Sequence, residues 1–433
     1  MDPTDRAQGF LRANGMFHGD LDAPRCVQEF TEEMDAGLSG RPSSLAMIPT
    51  FIEVDREIPA EEPVIAMDAG GTNLRIALVQ FDAAGEARIT DFERFRMPGL
   101  DGEIPAEAFF EALASRLAKV ASRSTRVGLS FSYPAEILKT KDGRILSLTK
   151  ELRVANIRGV MVGESINAAL REAGLPGDLR FVVLNDTVGA LLAGRAAHAG
   201  GRYSRYAGFV LGTGVNCAYV EANERIGKRT DLPAGGRQII NVESGGYSRM
   251  PRGVVDRALD ATSAEPGNYS FEKAISGAYL GPLCLKVFQA AAEDGLFSPG
   301  GRRCLVECKR LETPDLDPFL GGADRGGLHA RLSRRGSGDD LSTAASLAGH
   351  ILERGAKYTA VNMAAALLRS VPTGPADAPA CITVDGSTFY RLPTYRERIT
   401  RWVDEILKGS LRWEVGTVEN AALIGAAVGG ITN

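Results

Sequence analysis

Val64-Ile65-Ala66-Met67-Asp68-Ala69-Gly70-Gly71-Thr72-Asn73-Leu74-Arg75-Ile76-Ala77-Leu78-Val79-Gln80-Phe81 starts as an apolar run, meets an Asp, passes through a Gly-Gly-Thr-Asn turn and leaves as alternating apolar residues. With β-branched residues on both sides, it reads as two strands joined by a tight turn. Gly70 and Gly71 can take positive φ and open the backbone to close approach, while Thr72 and Asn73 add side-chain donors. Successive N–H groups in such a turn form a nest for an anion, most often a phosphate. The same residues also suit an ordinary hairpin, so the turn alone leaves both readings open. Asp68 favours the phosphate, because a carboxylate beside one is costly unless a cation such as Mg2+ lies between them.

Ala207-Gly208-Phe209-Val210-Leu211-Gly212-Thr213-Gly214-Val215-Asn216-Cys217-Ala218-Tyr219-Val220 repeats this design: apolar strand, Gly-Thr-Gly turn, second strand. Two such hairpins, one in each half, point to an internal duplication that supplies two phosphate nests. Just before the second hairpin, Phe181-Val182-Val183-Leu184 ends on Asn185-Asp186, with Thr187 expected to N-cap a helix running to about residue 198. Polar residues at the C-terminal end of a buried strand are where open α/β sheets place their chemistry.

Further out, apolar spacing predicts helical structure across 10–45, an extended lead-in at 47–54, a strand at 88–95, a helix over 106–121, a strand at 126–131 and a helix over 163–173. Residues 222–240 read as a polar loop, 239–243 as a short extended segment, 253–260 and 270–294 as helices, and 333–340 as an exposed loop. An Ala-rich helix covers 342–370, and Cys381 to Asp385 is a strand running into a third small-residue turn, Gly386-Ser387. A helix at 394–408, a strand at 411–415 and a helix at 418–428 follow, with Gly416 between the last two. Mixed strands and helices with a hairpin opening each half predict an α/β fold of two lobes.

The 433 residues carry 50 Lys plus Arg against 54 Asp plus Glu, a net charge of −4 with no electrostatic footprint for nucleic acid. No stretch predicts a membrane span or a secretory signal, and six scattered cysteines without a C-x-x-C pair argue against a disulfide framework or zinc site. The expectation is a reduced, cytoplasmic protein.

Taken together, the motifs resemble the hexokinase family of the sugar kinase, Hsp70 and actin superfamily. Asp68-Ala69-Gly70-Gly71-Thr72-Asn73-Leu74-Arg75 is similar to the family's first phosphate motif, and Gly212-Thr213-Gly214-Val215-Asn216 to its second. Ser130-Phe131-Ser132-Tyr133-Pro134 and Leu148-Thr149-Lys150 resemble its sugar loops, and Leu184-Asn185-Asp186-Thr187-Val188-Gly189 its catalytic segment. Asn241-Val242-Glu243 and Pro266-Gly267-Asn268-Tyr269-Ser270-Phe271-Glu272-Lys273 resemble its glutamate segments, and Val384-Asp385-Gly386-Ser387 its adenosine motif.

The resemblance implies a duplicated actin-like (RNase H-like) ATPase core. It implies a small lobe of 62–186 plus 416–433 and a large lobe of 1–61 plus 187–415, around an interdomain cleft. The implied reaction is phosphorylation of a hexose, glucose favoured, at its 6-hydroxyl by ATP with Mg2+, feeding glycolysis. Asp186 would be the base and Lys150 a nearby positive charge. Ser132, Thr149, Lys150, Asn185, Asp186, Asn216, Glu243 and Glu272 would hold the sugar. The nucleotide would contact Asp68, Gly70, Gly71, Thr72, Asn73, Arg75, Gly212, Thr213, Gly214, Asp385, Gly386, Ser387 and Gly416, with Asp68 reaching Mg2+ through water. Such a kinase needs no nucleic acid or membrane, and works as a monomer or homodimer. Departures from the family pattern are Tyr133 in place of Phe, Glu151-Leu152 after Thr149-Lys150, Ser244-Gly245 after Glu243, and no Gly-Ser-Gly run at 416–420. Alternative readings are a kinase of mannose, fructose or an amino sugar, or a non-catalytic sugar sensor on the same fold.

Overall fold

The computed structural model describes residues 2–148, 152–198, 201–322 and 327–433. Eleven strands form its two main sheets. The first sheet comprises β2 (Val64–Ala69), β3 (Asn73–Phe81), β4 (Ala87–Arg96), β5 (Arg126–Phe131) and β6 (Arg180–Leu184). The second comprises β1 (Ile48–Glu53), β7 (Arg205–Leu211), β8 (Val215–Ala222), β9 (Arg237–Asn241), β10 (Ala380–Asp385) and β11 (Trp413–Gly416).

The duplication is explicit in the topology. The first sheet runs β4-β3-β2-β5-β6 and the second β9-β8-β7-β10-β11, with β1 added beside β9. In each, the first two pairings are antiparallel and the last two parallel. The hairpins β2–β3 and β7–β8 occupy the same place in the two repeats. Every residue of β2 is buried, so its near-continuous apolar run needs cover on both faces.

Two helices provide the link between the sheets. Asp186–Ala197 leaves β6 but packs on β7 and β10, and Ala421–Thr432 follows β11 but packs on β2, β5 and β6. They pack against each other where Gly189 meets Gly425: a Cβ on Gly425 would stand 1.9 Å from the Gly189 carbonyl oxygen. The same helix presses its backbone on Gly128 of β5, where a Cβ would lie 1.7 Å from the Ala426 carbonyl oxygen. The many small residues of 421–432 thus set a backbone approach that larger side chains would block.

Several elements differ from expectation. The helix expected over 106–121 ends at Leu117, the last strand is Trp413–Gly416 and the last helix Ala421–Thr432. The segment 333–340 is mostly exposed, as expected, but is a junction between helices Leu328–Arg335 and Gly338–Arg369 rather than a loop. Asp340 is buried there, accepting from the N–H of Ser298 at 2.8 Å and of Ser337 at 2.8 Å. The loop beginning at 222 closes early, because Arg237–Asn241 pairs with β8 as β9. The helix expected over 270–294 is two, Ser270–Ile275 and Leu280–Glu293. At the break, Gly277 N–H donates to the Gly212 carbonyl at 2.9 Å and Ala278 N–H to that of Thr213 at 3.1 Å. The second glycine turn docks where the helix opens.

Candidate active site

Both hairpin turns open on one cleft of about 860 Å3. Asp68, Gly70, Gly71, Thr72, Asn73 and Arg75 line one wall. Thr213 and Gly214, with Asp385, Gly386 and Ser387, line the other. The expected sugar residues Ser132, Asn185, Asp186, Asn216, Glu243 and Glu272 line the same cleft. Gly212 and Gly416 are not part of its lining. Gly212 uses its carbonyl to anchor Gly277 and the Thr388 hydroxyl, the latter at 2.8 Å. Gly416 ends β11, where a Cβ would meet the Cys381 sulfur at 2.8 Å. Packing in the sheet accounts for that glycine. Thr149 and Lys150 lie outside the described residues.

Neither Gly70 nor Gly71 has a positive φ, contrary to expectation; the glycine that needs it is Gly386, at φ +113°. A Cβ there would come within 2.4 Å of the Leu211 carbonyl group, so glycine brings the third turn against the second. In the first turn the Asn73 side chain is held by Arg94 Nε at 2.9 Å and donates to the Thr72 hydroxyl at 2.8 Å.

Asp186 is the first residue of its helix, and Asn185, not Thr187, is the N-cap. Asn185 is extended and its Oδ1 accepts the Thr187 N–H at 3.0 Å, so the side chain that closes the helix end precedes the carboxylate. The first turn of a helix suits a negative group.

Behind Asp186 lies an amide–carboxylate network. Asn241 Nδ2 donates to Glu243 Oε1 at 2.7 Å, and Asn216 Nδ2 to Asn241 Oδ1 at 2.8 Å. Asn216 Nδ2 also approaches Asn185 Oδ1 at 3.3 Å, and Asn216 Oδ1 accepts the Cys217 N–H at 2.7 Å. Glu243 is in the left-handed region at φ 58°, a strained place for a glutamate that the network over-determines. Burial, with the Asp186 charge adding to it, pushes its carboxyl up despite Asn241 and Asn216. Sequence reading missed Asn241 as a site residue. The signal was its place at the end of a strand, two residues before Glu243 in the Asn241-Val242-Glu243 segment.

Glu272 is in the first turn of Ser270–Ile275 and its Oε2 accepts the Val215 N–H at 3.1 Å. It lies directly under Gly214, where a Cβ would fall 2.5 Å from that oxygen. Cys217 is buried and its sulfur donates to Asn362 Oδ1 at 3.0 Å, so it packs rather than reacts.

Asp68 is buried, and Arg75 Nη1 donates to it at 3.0 Å. Burial pushes its carboxyl up to about 6; Arg75 pulls it down, and the charges of Asp186 and Asp385 push it up. Three carboxylates that repel across one cleft, opposite two backbone turns, fit a divalent cation carried in with a polyphosphate. Among the described residues no three of His, Cys, Asp or Glu converge to cage an ion by themselves.

The duplicated core, its paired turns and the acidic, amide-rich base of the cleft define a sugar kinase of the actin-like superfamily. Two hexokinase family models match the chain, one over residues 20–196 and one over 206–432. Hexokinase-1 of Schizosaccharomyces pombe is 27% identical over 430 residues, covering 93% of this chain and 86% of that protein. Hexokinase-1 of Oryza sativa subsp. japonica is 33% identical over 303 residues, covering 66% of this chain and 60% of that protein. The fold is also that of the hexokinase from Schistosoma mansoni solved in complex with glucose, with a TM-score of 0.77, 21% identity and 100% coverage of both chains. The chain belongs to the hexokinase family. It is a hexose kinase, a phosphotransferase that uses ATP. No helix among the described residues is long and apolar enough to cross a membrane.

Proposed function

We propose that the protein transfers the γ-phosphoryl group of ATP to the 6-hydroxyl of glucose in the cytoplasm, at the entry to glycolysis, with Asp186 as the base. The observation that carries this reading is the position of Asp186. It stands at the end of β6 between the Asn185–Asn216–Asn241–Glu243 network and the two glycine turns. Phosphoryl transfer needs its reactants aligned and its charge neutralised more than it needs covalent help. Asp186 accepts the hydroxyl proton, and Asn185, Asn216, Glu243, Glu272 and Ser132 orient the sugar. The turns at 70–73 and 212–214 take the phosphates, and Asp385, Gly386 and Ser387 the adenosine side. Mg2+ would supply charge neutralisation when bound, and Asp68 would hold it through water. The lobes 62–186 plus 416–433 and 1–61 plus 187–415 close on the sugar by pivoting near the Gly189–Gly425 crossing.

Asp186→Ala tests the reading. Turnover measured by coupled ADP release falls by about 10²–10⁴-fold, the usual worth of a positioned base, while the sugar still binds by calorimetry. A variant with near-normal kcat removes Asp186 from this role. A second reading, another hexose as preferred substrate, is favoured by Ser244-Gly245 after Glu243, and a panel of sugars in the same assay decides between them.

A further inference from the structure

We infer that Tyr133 is a positioning residue for the phosphate turn, holding the Gly70 and Gly71 peptides so that their amides are presented to the nucleotide. The inference rests on the proposed reading of the cleft. Tyr133 follows β5 in the sugar loop, and its ring is buried and edge-on to Phe131 at 5.1 Å between centroids. Its hydroxyl donates to the Gly70 carbonyl at 2.9 Å and lies 3.3 Å from that of Gly71.

Those carbonyls belong to the peptide units that carry the N–H groups of Gly71 and Thr72. Among the described residues no peptide bond is cis, and in a planar trans peptide the C=O and N–H point in opposite directions. Two carbonyls gathered on one hydroxyl therefore send two successive N–H groups to the opposite face of the turn. Among the described residues neither amide donates to a protein group, and both residues line the cleft. Successive amides sharing a face make an anion nest. A phenylalanine would fill the same space but leave both peptides free to rotate. The neighbouring Ser132 N–H also donates to the Ala69 carbonyl at 3.2 Å, so the sugar loop grips the start of the turn at two points.

Tyr133→Phe keeps the ring and tests the hydroxyl alone. A net hydrogen bond of about 0.5–1.5 kcal/mol corresponds to roughly a 2- to 12-fold rise in KM for ATP. The sugar KM changes less than 2-fold, and the melting temperature falls by no more than about 3 °C, the loss expected for one hydrogen bond. An ATP KM within 2-fold of wild type overturns the inference, as does an equal rise in both KM values with a melting temperature lowered by more than that, the mark of a merely structural role. A wild-type chain that phosphorylates no sugar brings down the functional reading, and this inference with it. Wild-type turnover combined with an unresponsive Phe variant brings down the inference alone.

Discussion

Gly214→Ala separates the site from the scaffold. Gly214 is outside the left-handed region, so alanine meets no backbone strain of its own. Its Cβ would fall 2.5 Å from Glu272 Oε2 and 3.3 Å from the carboxyl carbon. Carbon and oxygen do not tolerate that approach, and the cheapest relief is to swing the end of a flexible side chain. The fold therefore loses little, while Glu272 loses the Val215 N–H bond now at 3.1 Å. A hydrogen bond to a charged group contributes about 1.5–3 kcal/mol, or roughly a 10- to 150-fold rise in the sugar KM if that carboxylate holds the sugar. The assay is coupled ADP release with sugar varied at saturating ATP, beside a thermal melt. KM for ATP is read in parallel, because the methyl group also enters the phosphate turn. Glu272→Gln leaves that turn intact and raises the sugar KM by itself. A folded Gly214→Ala enzyme with a sugar KM within 2-fold of wild type would refute the assignment of Glu272 to the sugar.

Asn241→Ala removes the donor to Glu243 and the acceptor for Asn216, and sugar affinity by calorimetry falls at least about tenfold; unchanged affinity would make Asn241 a packing residue. Asp68, pushed up to about 6 from 3.8, binds a proton in the folded chain more readily than in the unfolded one. Its contribution to ligand-free stability is thus lost as pH rises through that interval, by on the order of 3 kcal/mol. Denaturant unfolding from pH 4 to 6 shows wild type declining against Asp68→Asn, and a pH-independent difference between the two contradicts the shift.

The parts of the fold legible in the sequence are those set by periodicity over short range. Both hairpins, the strand ending on Asn185-Asp186 and the Ala-rich helices carry their own signal, because alternation and 3- to 4-residue spacing are local properties. The failures occur where a distant partner decides. Between 270 and 294 only Ser276-Gly277 and Gly281-Pro282 hint at a break, and its place is fixed by a distant partner, because Gly277 and Ala278 N–H groups donate to the turn at 212–213. The polar string at 333–340 is mostly exposed, but its last residue, Asp340, is buried because Ser298 arrives to satisfy it. Gly70 and Gly71 suggest positive φ by their type, but the glycine whose conformation demands it is Gly386. Asn241 stands only two residues before Glu243, but a lone amide carries a weaker signal than the carboxylate it supports. Tyr133 stands out in the sequence only as a departure from phenylalanine, because a sequence does not show what a hydroxyl can reach.

The two repeats are matched in topology but differ in how their turns are held. The first turn is tied through Tyr133 and Ser132 to the sugar loop after β5. The second is tied through the Val215 N–H to Glu272, and through the Gly212 and Thr213 carbonyls to the helix break that follows. In both cases a proposed phosphate-binding turn shares hydrogen bonds with a proposed sugar-binding segment of its own sheet. Sugar that fixes Ser132 on one side and Glu272 on the other fixes the segments supporting both turns before ATP is committed. Water, too small to engage either segment, leaves them as they were. A kinase that must not hydrolyse ATP needs its phosphate site to depend on the acceptor. On the proposed reading, that dependence would run through these hydrogen bonds of Tyr133, Ser132, Glu272, Gly277 and Ala278.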